Sequence, residues 1–265
     1  MNAPDLSRLL AFADTLADAA RAAILPYFRA AHGVNHKGGA RFDPVTDADE
    51  AAERAMRALI EQEFPSHSVL GEEFGGSLSA DGYQWILDPI DGTRAFIAGL
   101  PTWGVLIGLY HHGQPLLGVM DQPYLDERYR GWTSAESRGA TCSARGVTRP
   151  LQTRACANLE AAILSTTDPY LFHGPEAQNF ARVRDRVKLT RYGFDCYAYC
   201  MLAAGHIDCV VESGLKPFDI AALIPIVTGA GGGICSWNGG DASAGGRVLA
   251  WGDARVRDEA LAALA

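Results

Sequence analysis

The sequence predicts an α/β protein built as one compact unit from an N-terminal α+β half, residues 1–148, and a C-terminal α/β half, residues 149–265. Three observations carry this. The chain opens on a long amphipathic helical pattern. Short apolar runs bounded by glycine and proline follow it in the first half. Beyond residue 148, strand-like and helix-like segments alternate, which argues for an α/β layer. With 265 residues, 48% of them hydrophobic, and a mean hydropathy of -0.02, the chain can bury a sizeable core without staples.

Leu6, Leu9, Leu10, Ala13, Leu16, Ala17, Ala20, Ile24 and Phe28 recur at helical spacing across residues 5–30. A loop with Gly33, Gly38 and Gly39 comes next. Thr46-Asp47-Ala48-Asp49 then has the form of a capping box, predicting a helix through Ala52, Met56, Leu59 and Ile60 to Phe64, where Pro65 stops it. Residues 68–71 and 84–88 read as strands, the second ending at Asp88 because Pro89 is unsuited to a central strand. Residues 105–110 and 115–122 read as strands joined by a turn at His111-His112-Gly113. The second half reads as strands at 162–165, 188–192, 207–212 and 234–237, with helices at 175–187, 196–204, 219–230 and 254–264.

Net charge is -8 and no Lys/Arg run stands out, so no basic footprint for nucleic acid is expected. The six cysteines form neither a C-x-x-C pair nor a zinc ligand set, and they predict reduced, mostly buried thiols of a cytoplasmic protein. Residues 1–5 lack a basic n-region, and charges interrupt the apolar stretch that follows. Neither a signal peptide nor a membrane span is expected.

Four acidic elements could carry chemistry. In Asp88-Pro89-Ile90-Asp91-Gly92-Thr93 an apolar run ends in two carboxylates three apart, and Gly92 lets the chain turn. Anions so close do not both ionise without a cation between them, and hard oxygen donors suit Mg²⁺. The amides of Gly92 and Thr93 could hold a phosphate at a helix start, although an Asx turn with an ordinary cap explains the same residues. Glu72-Glu73 is either part of the same site or an acidic pair on a surface loop. Asp47 and Asp49 suit a helix N-terminus as well as a site. Asp219, after Pro217, is either a ligand or a cap.

Taken together and in order, these segments resemble the inositol monophosphatase-like superfamily of metal-dependent sugar and polyol phosphatases. The match runs through Pro44-Val45-Thr46-Asp47-Ala48-Asp49, Gly71-Glu72-Glu73, Asp88-Pro89-Ile90-Asp91-Gly92-Thr93 and Phe218-Asp219 before an Ala-rich helix and Gly231-Gly232. Within it, the residues from Arg94 to Pro101, Tyr192-Gly193-Phe194-Asp195-Cys196-Tyr197-Ala198-Tyr199 and the segment 214–225 resemble the histidinol-phosphate phosphatases, where Lys is usual at the Arg94 position.

The resemblance implies a five-layer αβαβα sandwich, usually dimeric, and two or three Mg²⁺ ions. Glu72, Asp88 and the Ile90 carbonyl would hold one ion, and Asp88, Asp91 and Asp219 the second. A third would share Glu72. Thr93, oriented by Asp49, would help take a proton from the attacking water, and the amides of Gly92 and Thr93 would hold the phosphate. Asp195 and Glu212 are expected at the cationic leaving group of histidinol phosphate, although Asp195 also reads as the N-cap of helix 196–204. Arg191 would meet phosphate or a carboxylate, or pair structurally. His111 and His112 read as turn residues. The expected partner is a small phosphate monoester. Inositol monophosphatase, a broad sugar or nucleotide phosphatase, and a non-catalytic regulatory relative are the competing readings.

Overall fold

The computed structural model describes residues 5–30, 34–36 and 44–265, with backbone alone for 34–36 and 44–46. The glycine loop expected around Gly33, Gly38 and Gly39, and the capping side chain of Thr46, lie outside the described residues.

In chain order, helix α1 (Leu6–Ile24) is followed by the short antiparallel pair β1 (Val34–His36) and β2 (Pro44–Thr46), then by α2 (Asp47–Glu63). The strands β3 (Ser68–Gly71) and β4 (Tyr83–Asp91), the short helix α3 (Thr93–Ile97), and β5 (Gly104–His111), β6 (Gln114–Gln122), β7 (Glu127–Thr133), β8 (Arg138–Ala144) and β9 (Val147–Pro150) complete the first part. The rest comprises β10 (Ile163–Thr166), α4 (Pro175–Arg184), β11 (Leu189–Tyr192), α5 (Asp195–Ala203), β12 (Cys209–Leu215), α6 (Pro217–Ile220), α7 (Leu223–Gly229), β13 (Gly233–Ser236), β14 (Gly246–Trp251) and α8 (Ala254–Leu264).

Strands β3 to β9 form a seven-stranded sheet in sequence order, and the second sheet runs β11-β10-β12-β14-β13. Period-2 alternation decides which side chains go to which layer. Along β5, Val105, Ile107 and Leu109 pack with Leu9, Leu16, Met56 and Ile60 of α1 and α2. Leu106, between them, faces a different core with Tyr199, Leu202, Ile226 and Val227 of α5 and α7, which also takes in Val210 and Val248 of the second sheet. The far face of that sheet, through Leu164, Val211 and Leu249, packs on Phe180 and Val183 of α4 and Val256 and Ala260 of α8. The result is the αβαβα sandwich.

Gly118 and Gly131 are register partners on β6 and β7. A Cβ on Gly118 would overlap the carbonyl of Ala222, and one on Gly131 the backbone of Ile226. The chain at α7 therefore rests directly on the sheet backbone, which fixes the height of the preceding α6 over the strands.

Several expectations are corrected. Helix α1 stops at Ile24 rather than running to residue 30. Pro26 has no N–H for a continuing helix, and the chain closes instead in tight turns, with Tyr27 N–H donating to Ile24 O. The helix expected over 219–230 is two, α6 and α7, since Pro225 cannot donate back to the carbonyl of Ala221. Strands β7, β8, β9 and β14 were not anticipated. Strand β4 does not end at Asp88 but continues through Pro89 to Asp91. Its partner β3 pairs only as far as Leu87, so the missing N–H of Pro89 interrupts no ladder on that side.

Candidate metal centre

The continuation of β4 places the first two acids. Residues three apart on a regular strand point to opposite faces. Here the ladder pairs Asp88 with Leu106 and Asp91 with Gly104, so β4 carries one residue more than β5 between these pairs. This bulge reverses the alternation, and Asp88 and Asp91 converge. Asp219 joins them from α6, where Lys216 N–H donates to its Oδ2 at 2.6 Å. Donor oxygens of Asp88, Asp91 and Asp219 lie within 4.8 Å of one another.

Glu72 and Asp49 complete the acidic surroundings. Glu72 follows β3, with its N–H on Leu87 O at 3.1 Å, and Asp49 is buried in the first turn of α2. Burial raises the Asp88 carboxyl well above the usual carboxylate range, and the charges of Glu72, Asp91, Asp219 and Asp49 raise it further. Asp91 is also raised well above that range, by burial and by Asp195 and Asp219, while the Cys196 backbone N–H, 2.7 Å from its Oδ2, opposes the shift. Burial pushes Asp219 up to about 7 against that same Lys216 hydrogen bond.

Asp88 Oδ1 is buried and has no hydrogen-bond partner among the described residues. The neighbouring charges that raise the Asp88 pKa, those of Glu72, Asp91, Asp219 and Asp49, are all carboxylates. A cluster of this kind is satisfied by a hard divalent cation, and the donor set, all oxygen, fits one.

Gly92 is left-handed, φ 84, and opens α3. A Cβ there would sit 3.1 Å from Trp103 Cα and 3.2 Å from Asp195 Cβ, so the position needs glycine. The first amides of α3 have no partner within the helix. Thr93 Oγ1 donates to Ile90 O at 3.1 Å.

Beside the cluster lies a cavity of about 170 Å³, lined among others by Asp91, Thr167, Asp195, Tyr199, Glu212 and Asp219. Glu212 is buried, and Thr167 donates to its Oε1 through both N–H, 2.7 Å, and hydroxyl, 3.0 Å. Glu212 Oε2 and the Tyr199 hydroxyl have no partner among the described residues. Burial pushes Glu212 up to about 8. Asp195 is the first residue of α5 rather than the cap before it, and it holds a positive φ of 43. Burial pushes it up to about 6, against the pull of Arg94 and a hydrogen bond with Thr167.

A second cavity of about 190 Å³ shares Thr167 and Asp195 and adds Arg94, Leu100 and Asp168. Arg94 lies 3.4 Å from Asp168. Arg191 lines neither cavity; its guanidinium lies over the Phe194 ring at 5.6 Å. His111 closes β5 against the two-residue turn His112-Gly113. The six cysteines are unpaired and five are buried. None of the helices of the described residues is long and apolar enough to cross a membrane.

Thr167 and Tyr199 were not singled out from the sequence. Tyr199 stands four residues after Asp195, a spacing that puts both on one helix face and could have revealed it. Thr167 carries no comparable signal, because its role depends on the neighbouring strand β12.

Comparison with known proteins agrees with this geometry. The chain is 43% identical over 272 residues to the bifunctional phosphatase IMPL2, chloroplastic, of Arabidopsis thaliana, covering 98% of this chain and 76% of that protein. It is 39% identical over 224 residues to the histidinol-phosphatase of Mycobacterium tuberculosis, covering 83% and 84%. The solved structure of an inositol monophosphatase from Zymomonas mobilis superposes with a TM-score of 0.86 at 40% identity over 99% of both chains. The family model described as the inositol monophosphatase family matches residues 5–265, so this phosphatase, with its carboxylates gathered at the bulge of β4, belongs to the inositol monophosphatase family.

Proposed function

We propose that the protein is a Mg²⁺-dependent phosphatase that hydrolyses histidinol phosphate to histidinol and phosphate. One observation carries the choice of substrate: the cavity beside the cluster holds two carboxyl groups, the buried Glu212 and the half-buried Asp195, whose pKa values desolvation has raised. Such groups gain most from a cationic occupant. Histidinol phosphate brings an ammonium and an imidazole on its leaving group, whereas an inositol ring brings hydroxyls alone. The likeness to the M. tuberculosis histidinol-phosphatase supports the same reading.

In this reading Glu72, Asp88 and the carbonyl of Ile90 hold one ion, Asp88, Asp91 and Asp219 another, and Glu72 shares in a weaker third. Bound divalent cations supply Lewis acidity at such a site, lowering the pKa of water and neutralising phosphate charge. The chain does the rest. The first amides of α3, from Gly92 and Thr93, hold the phosphate oxygens. The Thr93 hydroxyl donates a hydrogen bond to Ile90 O, which leaves its lone pairs to accept a hydrogen bond from the attacking water and orient it, and the proton the water loses passes to a carboxylate of the cluster. Asp49, buried at the start of α2, orients the Thr93 hydroxyl. Asp195 and Glu212 bind and orient the leaving group.

Exposed Leu100, Tyr170, Leu189 and Tyr192, with β11 as a sheet edge, support a homodimer. The unpaired cysteines support a cytoplasmic location.

The test is phosphate release from histidinol phosphate beside inositol 1-phosphate, with and without Mg²⁺. Mg²⁺-dependent release, faster from histidinol phosphate, is expected. Full activity after exhaustive chelation would overturn the metal reading. The likeness to the Z. mobilis inositol monophosphatase carries the second reading, which faster turnover of inositol phosphate would establish.

A further inference from the structure

The loop that carries Glu72 is gripped from behind by a side chain with no part in the proposed chemistry. Glu53 stands one turn beyond Asp49 on α2, and its carboxylate is fully buried. Glu53 Oε2 accepts the backbone N–H of Glu73 at 2.8 Å, and Oε1 accepts that of Phe74 at 3.2 Å. Arg57, four residues on, donates to Glu53 Oε1 at 2.7 Å and to Gly75 O at 2.7 Å. The loop is closed on itself by Gly71 N–H to Gly75 O at 3.1 Å. Helix α2 thus holds the loop by two of its donors and one of its acceptors.

Two further features fit a built device. Gly71 has no side chain because any Cβ there would overlap the Glu53 carboxylate. A buried carboxylate also needs its charge matched, and Arg57 together with two N–H groups does this. Backbone N–H groups in a surface loop are satisfied by water at little cost. A buried charge is therefore not required to satisfy them, whereas holding one loop conformation does require it.

We infer that Glu53 is a positioning residue for the metal centre: by fixing the amides of Glu73 and Phe74 it sets the direction in which Glu72 enters the acidic cluster. The inference rests on the metal centre proposed above. Asp49 and Glu53 lie on one face of α2, so one rigid helix delivers an acid to the cluster and braces the loop that delivers another.

The test uses the full chain with Glu53→Gln and Glu53→Ala. Glutamine keeps the volume, but whichever way its amide turns, an NH₂ group faces a donor. Three quantities are measured: Mn²⁺ affinity by calorimetry well below the melting temperature, hydrogen exchange at the Glu73 and Phe74 amides in the metal-free protein, and the Mg²⁺ activation constant. The expected result is lost protection at those two amides and a fall in Mn²⁺ affinity of about 10- to 100-fold. The Mg²⁺ activation constant should rise by a similar factor, with a smaller effect on turnover at saturating Mg²⁺. A lower melting temperature with wild-type Mn²⁺ affinity in the glutamine variant would show a purely structural role and overturn the inference. Absence of Mn²⁺ binding by the wild type would overturn the metal centre itself, and this inference with it.

Discussion

The backbone N–H of Cys196 donates to Asp91 Oδ2 at 2.7 Å, so the first residues of α5 are tied to the bulge of β4 across 105 positions of sequence. This bond offsets part of the repulsion at Asp91, while Asp88 stays raised by burial and by its carboxylate neighbours. Asp88→Asn should therefore have opposite effects on two measurements. Turnover should fall by at least about 1000-fold, the scale of several kcal/mol of lost charge stabilisation. The metal-free protein should melt at a higher temperature than the wild type, since each pKa unit of crowding removed corresponds to about 1.4 kcal/mol. A metal-free variant that melts lower would contradict the repulsion described for this cluster.

The same crowding sets a pH dependence. Glu212 is pushed from 4.5 up to about 8, Asp219 from 3.8 up to about 7 and Asp195 from 3.8 up to about 6. In that range the folded chain keeps protons that the unfolded chain has released. The stability they contribute is fully present below the unfolded values and is lost as pH rises through the folded ones. Melting of the metal-free protein should accordingly fall from pH 4.5 towards pH 8, the span of the Glu212 shift. Saturating Mg²⁺ should flatten the slope by binding the ionised cluster. A slope of the same size with and without Mg²⁺ would refute this.

Gly92→Ala tests the turn into α3. Alanine at φ 84, with its Cβ 3.1 Å from Trp103 Cα and 3.2 Å from Asp195 Cβ, should destabilise the fold by about 1–3 kcal/mol. It should also lower turnover and raise KM for the phosphate substrate, because the amides of α3 move with it. Urea unfolding and steady-state kinetics report the two effects separately.

On the face of the first sheet turned to α1, fully buried Asp121 binds Arg21 at 2.9 Å and Arg128 at 2.8 Å. Arg128 also reaches Asp18 at 2.6 Å, and Arg130 reaches Asp14 at 2.7 Å. These pairs fasten α1 to β6 and β7. Asp121→Ala should cost about 3 kcal/mol in urea unfolding, because it strands two partly buried guanidinium groups. Turnover of the folded variant should stay at the wild-type value.

That network also explains why β7 and β8 were hidden in the sequence. The face of β7 turned to α1 carries Arg128 and Arg130 ahead of a single apolar residue, Trp132, and acids of α1 neutralise the two arginines. Hydrophobic alternation, the usual sign of a half-buried strand, is therefore absent where it would be sought. The long helices and the strands made of apolar runs, β5 and β6 among them, were legible because their buried faces are apolar. The acids at Asp49, Glu72, Asp88, Asp91 and Asp219 stood out through their order along the chain. The convergence of Asp88 and Asp91 was legible too, but not its means: the sequence reading ended the strand at Asp88, whereas β4 runs on to Asp91 and the bulge, visible in the pairing with β5, turns both acids to one side. Thr167 was missed because its partner Glu212 comes from a distant strand.

The sharing of the cluster between distant segments has a consequence for how the protein is made. Asp88 and Asp91 leave the ribosome with β4, whereas Asp219 follows only after β12 has been synthesised. A nascent chain that has folded its first sheet thus carries two crowded acids without their third companion, and without the Cys196 amide that offsets one of them. The site cannot be assembled by a truncated product. In the proposed function, cation capture through all three acids would mark a polypeptide whose translation has passed Asp219 and whose two sheets have docked.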